Sequence, residues 1–145
     1  MRKLLLALGL FALLVLPGWA MAAVTLYPPD QSTIAWDAVT TLSNGNPIPT
    51  GDTVGYKVYL SHDGLLPDGN PVEITAIQYY TLTFPAGEDV WFAGVSGVRT
   101  PQGTTLKIES SITWSNSTDA AAVPGGPFGW RTYLGPGSVK GLRRP

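Results

Sequence analysis

Residues 32–61 read STIAWDAVTTLSNGNPIPTGDTVGYKVYLS, and this stretch decides the fold. In its second half Val54, Tyr56, Val58 and Leu60 alternate with Gly55, Lys57, Tyr59 and Ser61. A period of two over this length marks a strand with one buried face. Ile34 and Trp36 share one face of an earlier run, and with the four apolar residues they form the nucleus of a two-sheet core. Between the runs, residues 37–53 are rich in Asn, Gly, Pro, Thr and Asp, with a turn signal at Asn44-Gly45-Asn46-Pro47. A connection this long in a compact domain is either functional or mobile.

The same reading extends outward. Val24 and Leu26 suit a short edge strand stopped by Pro28-Pro29, since proline cannot donate to a ladder. Residues 72–77 form a weak strand. Tyr80, Leu82 and Phe84 alternate with threonines until Pro85-Ala86-Gly87 ends the run. Residues 90–98, VWFAGVSGV, carry two competing periods. A bulge at Gly94 reconciles them, turning Val90, Phe92, Val95 and Gly97 inward and Trp91 outward. Leu106, Ile108, Ile112 and Trp114 recur on even positions. About seven short strands with frequent turn signals and no amphipathic helix predict an all-β, seven-stranded antiparallel β-sandwich. Its predicted core holds Ile34, Trp36, Tyr56, Val58, Leu82 and Phe92.

The ends read differently. Arg2 and Lys3, an apolar run over residues 4–16 and Ala20-Met21-Ala22 predict a secretory signal peptide over residues 1–22. An uncleaved anchor is the alternative, although the run is short of the ~20 residues of a span. The expectation is a secreted or periplasmic chain with no membrane span after cleavage. With no cysteine, disulfides and a lipidated cysteine are excluded, and packing alone must hold the fold. Beyond residue 22 there are seven Lys/Arg and ten Asp/Glu, a net −3 that argues against a nucleic-acid partner. The cysteine-free composition and short signal suit a bacterial or phage source.

Taken in order, IAWDAV, VGYKVYLS, YTLTFPAGEDVWFAGVSGV and IESSITWS resemble strands B, C, E–F and G of a fibronectin type III domain. TTLSNGNPIPTG at residues 40–51 resembles the T-x-N-G loop found between strands B and C in bacterial and phage members. The resemblance covers residues 23–119 and implies an immunoglobulin-like sandwich. It makes Trp36 and Tyr56 the core aromatics of strands B and C, and Glu109-Ser110 the opening of strand G. It departs from the family where a strand F tyrosine belongs, since that place falls near Val90. Members are mostly non-enzymatic spacers and binding modules. GPGSVKGLRRP also resembles the lead-in to a further repeat.

Catalytic chemistry finds little support. His62 is the sole histidine, and no nucleophile elbow accompanies it or Asp63. One His and no Cys cannot build a zinc site. Asp63, Asp68 and Asn70 bracket a turn, but their spacing is hairpin chemistry rather than a calcium loop. The formal glycosylation sequon Asn116-Ser117-Thr118 matters only on a eukaryotic secretory route. No enzyme, cofactor or metal is predicted.

Two surfaces remain. Tyr59 and Trp91 are predicted to share an exposed sheet face, a platform for sugar rings or a protein partner. The alternative is that the tail covers them or the strand register differs. Residues 120–145 form a Pro/Gly-rich basic tail with charge +4, against −7 for residues 23–119. Phe128, Trp130, Arg131 and Tyr133 would dock it on its own domain or on a neighbouring copy. A disordered linker is the alternative. The functional expectation is an exported, non-enzymatic module for binding or spacing at a cell or virion surface, with protein or glycan partners and self-association through the tail. A carbohydrate-binding module and an assembly subunit are the alternatives.

Overall fold

The computed structural model describes residues 23–135. Nine strands are present there, against seven expected: β1 (Thr25–Tyr27), β2 (Thr33–Ala35), β3 (Thr53–Ser61), β4 (Val72–Thr75), β5 (Tyr79–Thr81), β6 (Asp89–Thr100), β7 (Ile108–Glu109), β8 (Thr113–Trp114) and β9 (Phe128–Thr132). A short 3-10 turn, Pro29–Gln31, separates β1 from β2. The large sheet runs β1-β9-β6-β3-β4, with β7 and β8 also on β6, while β2 and β5 form a separate two-stranded ribbon. The architecture is all-β but mixed, because β1 lies parallel to β9.

The β3–β6 pair is the frame. Its register runs without interruption from Thr53↔Thr100 to Ser61↔Phe92, so β6 has no bulge at Gly94 on this side. The extra residue sits on the opposite flank. Val98 pairs with Glu109 but Val95 with Thr113, so three steps along β6 face four along its partner. Ser110 keeps step with Gly97, and the surplus falls after it, where Ser111 and Ile112 face Ser96. The Ser110 N–H donates to the Gly97 carbonyl at 2.9 Å, and its Oγ accepts from the Gly97 N–H at 3.0 Å.

An unbroken register keeps strict alternation, and this corrects the predicted facing of β6. Residues directly opposite each other share a face, so Ala93, Val95 and Gly97 lie with Leu60, Val58 and Tyr56. Trp91, opposite Trp130, joins that inner face. Val90 and Phe92 therefore fall on the outer one. Phe92 is half-buried, its ring against Gly129 rather than in the core.

The core forms where the ribbon meets the inner face. Ile34 and Leu82 pack with Val58, Ile74, Ala93 and Trp130, flanked by Trp36, Leu60, Tyr80, Phe84, Val95 and Phe128. Ile34, Tyr56, Val58 and Leu82 are buried as the alternation predicts, and Trp36 stands half-buried at the margin. Asp52, whose side chain is 5 % exposed, ties the far end of the frame together. It accepts from Arg99 Nε at 2.5 Å and from the Gln102 N–H at 2.9 Å. The Gln102 amide first, then Arg99, hold its carboxyl below the ordinary range.

A tail that begins at residue 120 does not describe the observed fold. β9 lies between β1 and β6 as a full member of the large sheet, so the sheet extends to Thr132. Trp130 is 1 % exposed, and its Nε1 donates to the Gln31 carbonyl at 2.9 Å. Phe128 and Trp130 are thus core side chains, whereas Arg131 and Tyr133 face solvent. Periodicity misses this strand because only five residues carry it, after a Pro/Gly-rich approach. The predicted signal at residues 1–22, and Lys140, Arg143 and Arg144, lie outside the described residues.

Candidate functional site

The aromatic platform does not form. Tyr59 is 8 % exposed and Trp91 9 %, and the register sets them on opposite faces of the sheet. Tyr59 instead belongs to a polar cluster on the outer face. Glu109 accepts from Lys57 Nζ at 2.5 Å, from Ser96 Oγ at 2.6 Å and from the Tyr59 hydroxyl. Partial burial opposes the charge of Glu109, but its three donors outweigh that and hold it at about 2. The same contacts raise Lys57, chiefly through Glu109, while burial and then Glu109 raise Tyr59.

The cluster carries an acid-sensitivity prediction. A carboxyl whose folded pKa lies below its unfolded value adds stability above the unfolded value and loses it as pH falls toward the folded one. For Glu109 that window runs from 4.5 down to about 2. Urea midpoints of the parent protein should fall more steeply across this window than those of Glu109→Gln. Parallel curves would show that Glu109 contributes nothing to the acid response.

The turn after β3 is also self-satisfied. Ser61 Oγ donates to Asp63 Oδ1 at 2.7 Å, and that oxygen accepts from the Leu65 and Leu66 N–H groups at 2.8 and 3.2 Å. These contacts, led by the Leu65 amide, hold Asp63 at about 2. His62 Nδ1 lies 2.8 Å from the Asp68 carboxylate, which raises the imidazole. Asp63 and Asp68 are thus engaged within their own turn.

A cleft of about 570 Å³ lies elsewhere, on the inner face. Its floor is Tyr56 with Val95 and Gly97. One wall is the end of β2 and the residues after it: Trp36, Asp37 and Val39. Thr113, Val123 and Phe128 form the other. Trp36 meets Tyr56 edge-to-face at 5.3 Å, and the Tyr56 hydroxyl accepts from the Val39 N–H at 3.1 Å. Val123 is buried because its turn closes on the Asp119 carbonyl at 2.9 Å.

The cleft exists because the ribbon has only two strands. Pro28-Pro29 and the following 3-10 turn break the chain after β1, which pairs with β9 and leaves the outer edge of β2 without a strand partner among the described residues. In the ribbon Trp36 N–H donates to the Gln78 carbonyl and Leu82 N–H to the Ser32 carbonyl, both at 3.0 Å. Even-numbered β2 residues therefore face β5. Antiparallel alternation turns the amides and carbonyls of Thr33 and Ala35 outward, toward the free edge. Trp36 Nε1, in the cleft wall, is buried without a hydrogen-bond partner among the described residues.

Polar groups in the cleft are few. Ser115 Oγ and Ser110 Oγ accept from the Ala93 and Gly97 amides. Asp37 is its only acidic lining residue and makes no ion pair among the described residues. The sequence points to Trp36 and Tyr56 as core residues, and they are also cleft walls. It does not reveal Asp37, Val39, Val123 or the uncovered β2 edge. The one available signal was Pro28-Pro29, which separates β1 from β2. No protein-family model, curated protein or solved structure matches this chain.

Proposed function

We propose that this protein is an exported, non-enzymatic, fibronectin type III-like sandwich that acts as a binding or structural module at a cell or virion surface. Its binding site is the cleft beside β2, and its ligand is an extended peptide segment of a protein partner. The ribbon and the large sheet enclosing one core support the sandwich reading.

The observation that carries the binding role is the outward-facing backbone of Thr33 and Ala35 along an aromatic cleft. An extended peptide satisfies such an edge by adding a strand, while alternate side chains fill the adjoining pocket. The cleft's serine hydroxyls are already occupied and its walls are apolar apart from Asp37, which suits retention rather than bond cleavage.

The test is an NMR titration with peptides of alternating Val and Lys. Amides of Thr33 and Ala35 should shift, and Trp36 fluorescence should change with the same saturation curve. Ala35→Pro removes an N–H that the ribbon does not use, at an edge where proline is tolerated. It should weaken binding at least tenfold while leaving the melting curve close to the parent's. Shifts confined to other surfaces would remove the β2 edge as the site.

A further inference from the structure

Resting on the reading that the cleft takes an extended peptide, we propose that its occupant is residues 133–145 of a second copy, joining the molecules head to tail.

Charge is the first argument. Residues 23–135 hold four Lys/Arg and ten Asp/Glu, whereas residues 136–145 hold Lys140, Arg143 and Arg144 and no acid. Within the body, Lys57, Arg99 and Lys107 are each committed to an ion pair. Asp37, at the cleft wall, is not. A strongly basic segment meets there a carboxylate that the body leaves without an ion pair.

Chain direction is the second. Thr132 pairs with Asp89, at one end of β6, so β9 delivers the chain away from the cleft, which spans the levels of Ala93 to Gly97. Those levels lie four to eight residues along β6, up to about 26 Å away at strand spacing. For a molecule to fill its own cleft, residues 133–145 must reverse and return that distance. A copy stacked on the exit end receives the segment without reversal. The segment opens with Tyr133 and Leu134, 65 % and 67 % exposed just past β9. Residues 137–144 contain no proline, so every amide is available to a ladder, and Val139 and Leu142 supply apolar side chains.

Such a contact is heterologous: the donor segment and the acceptor cleft are different surfaces, so it propagates instead of closing as an isologous dimer does. Full-length protein should show a weight-average mass in light scattering that rises with concentration. Two variants separate the halves of the contact. Ala35→Pro blocks the acceptor edge, and a copy carrying Lys140→Glu, Arg143→Glu and Arg144→Glu loses the donor charge. Each alone should be monomeric, and an equimolar mixture should stop at the dimer, because only one productive pairing remains. Asp37→Lys should lower the parent's self-association about tenfold.

A synthetic peptide of residues 133–145 completes the test. Added to the parent protein it should shift the Thr33 and Ala35 amides and depolymerise the chains. If the Val/Lys peptides shift those amides but this peptide does not, the inference fails and the peptide-binding reading stands. If neither shifts them, both fail. A parent that is monomeric at all concentrations, or a mixture that forms no dimer, overturns the head-to-tail contact.

Discussion

Trp130→Ala should destabilise the protein by about 3–5 kcal/mol, the range for removing a large aromatic from a packed core. For a domain of this size that is a fall of roughly 12–20 °C in Tm. The magnitude follows from where the side chain sits. At 1 % exposure it is the largest fully buried side chain, with Phe84 and Phe128 at centroid distances of 5.7 and 5.4 Å. Its Nε1 also holds the Gln31 carbonyl, fixing the turn that leads into β2. Alanine would leave a cavity between β9 and the ribbon that the large sheet cannot close by moving one strand. Trp130→Phe retains most of the packing and loses the hydrogen bond, so it should cost about 1 kcal/mol beyond its volume change. Urea denaturation of both variants measures the difference. A loss under about 1 kcal/mol for the alanine variant would mean that β9 is an accessory strand and that the domain ends before it.

That prediction rests on a strand that residue patterning hides. Periodicity identifies β3, whose nine residues alternate cleanly against a buried face, and it correctly fills the core with Ile34, Tyr56, Val58 and Leu82. It fails where position is decided by partners distant in sequence. β9 is short and lies in a Gly/Pro-rich segment, yet it is buried between two strands; residue by residue it resembles a linker. β1 reads correctly as an edge strand, but its sequence does not say which edge it extends. That choice is what leaves β2 uncovered and creates the cleft. The misplaced Tyr59–Trp91 platform has a single origin: a bulge placed on β6 shifts the facing of Trp91, whereas the surplus residue lies across the ladder at Ser111–Ile112.

The predicted bulge rests on Gly94, and the role this glycine plays in the fold yields the second large effect. A glycine inside a strand marks either a bulge or a close approach, and here it is the approach. A Cβ at residue 94 would lie 2.6 Å from Ile112 Cγ2 and 2.7 Å from the Trp114 ring. Those side chains cross the outer face where β8 pairs with β6. Gly94→Val should therefore cost about 3 kcal/mol, at the upper end of the overpacking range, and should detach β8 before the rest of the sheet opens. Amide exchange would show this as faster loss of protection at Thr113 and Trp114 than at Tyr56 and Val58. The remedy distinguishes the two roles of glycine. With close approach, Gly94→Ala combined with Ile112→Ala recovers part of what Gly94→Ala loses, because Ile112 shares that space and the effects are not additive, while the Trp114 ring still lies 2.7 Å from the added Cβ. A backbone requirement for glycine predicts no such recovery, since trimming Ile112 leaves the conformation at residue 94 unchanged. Additive losses in the double variant would mean that Ile112 does not compete for the space at residue 94.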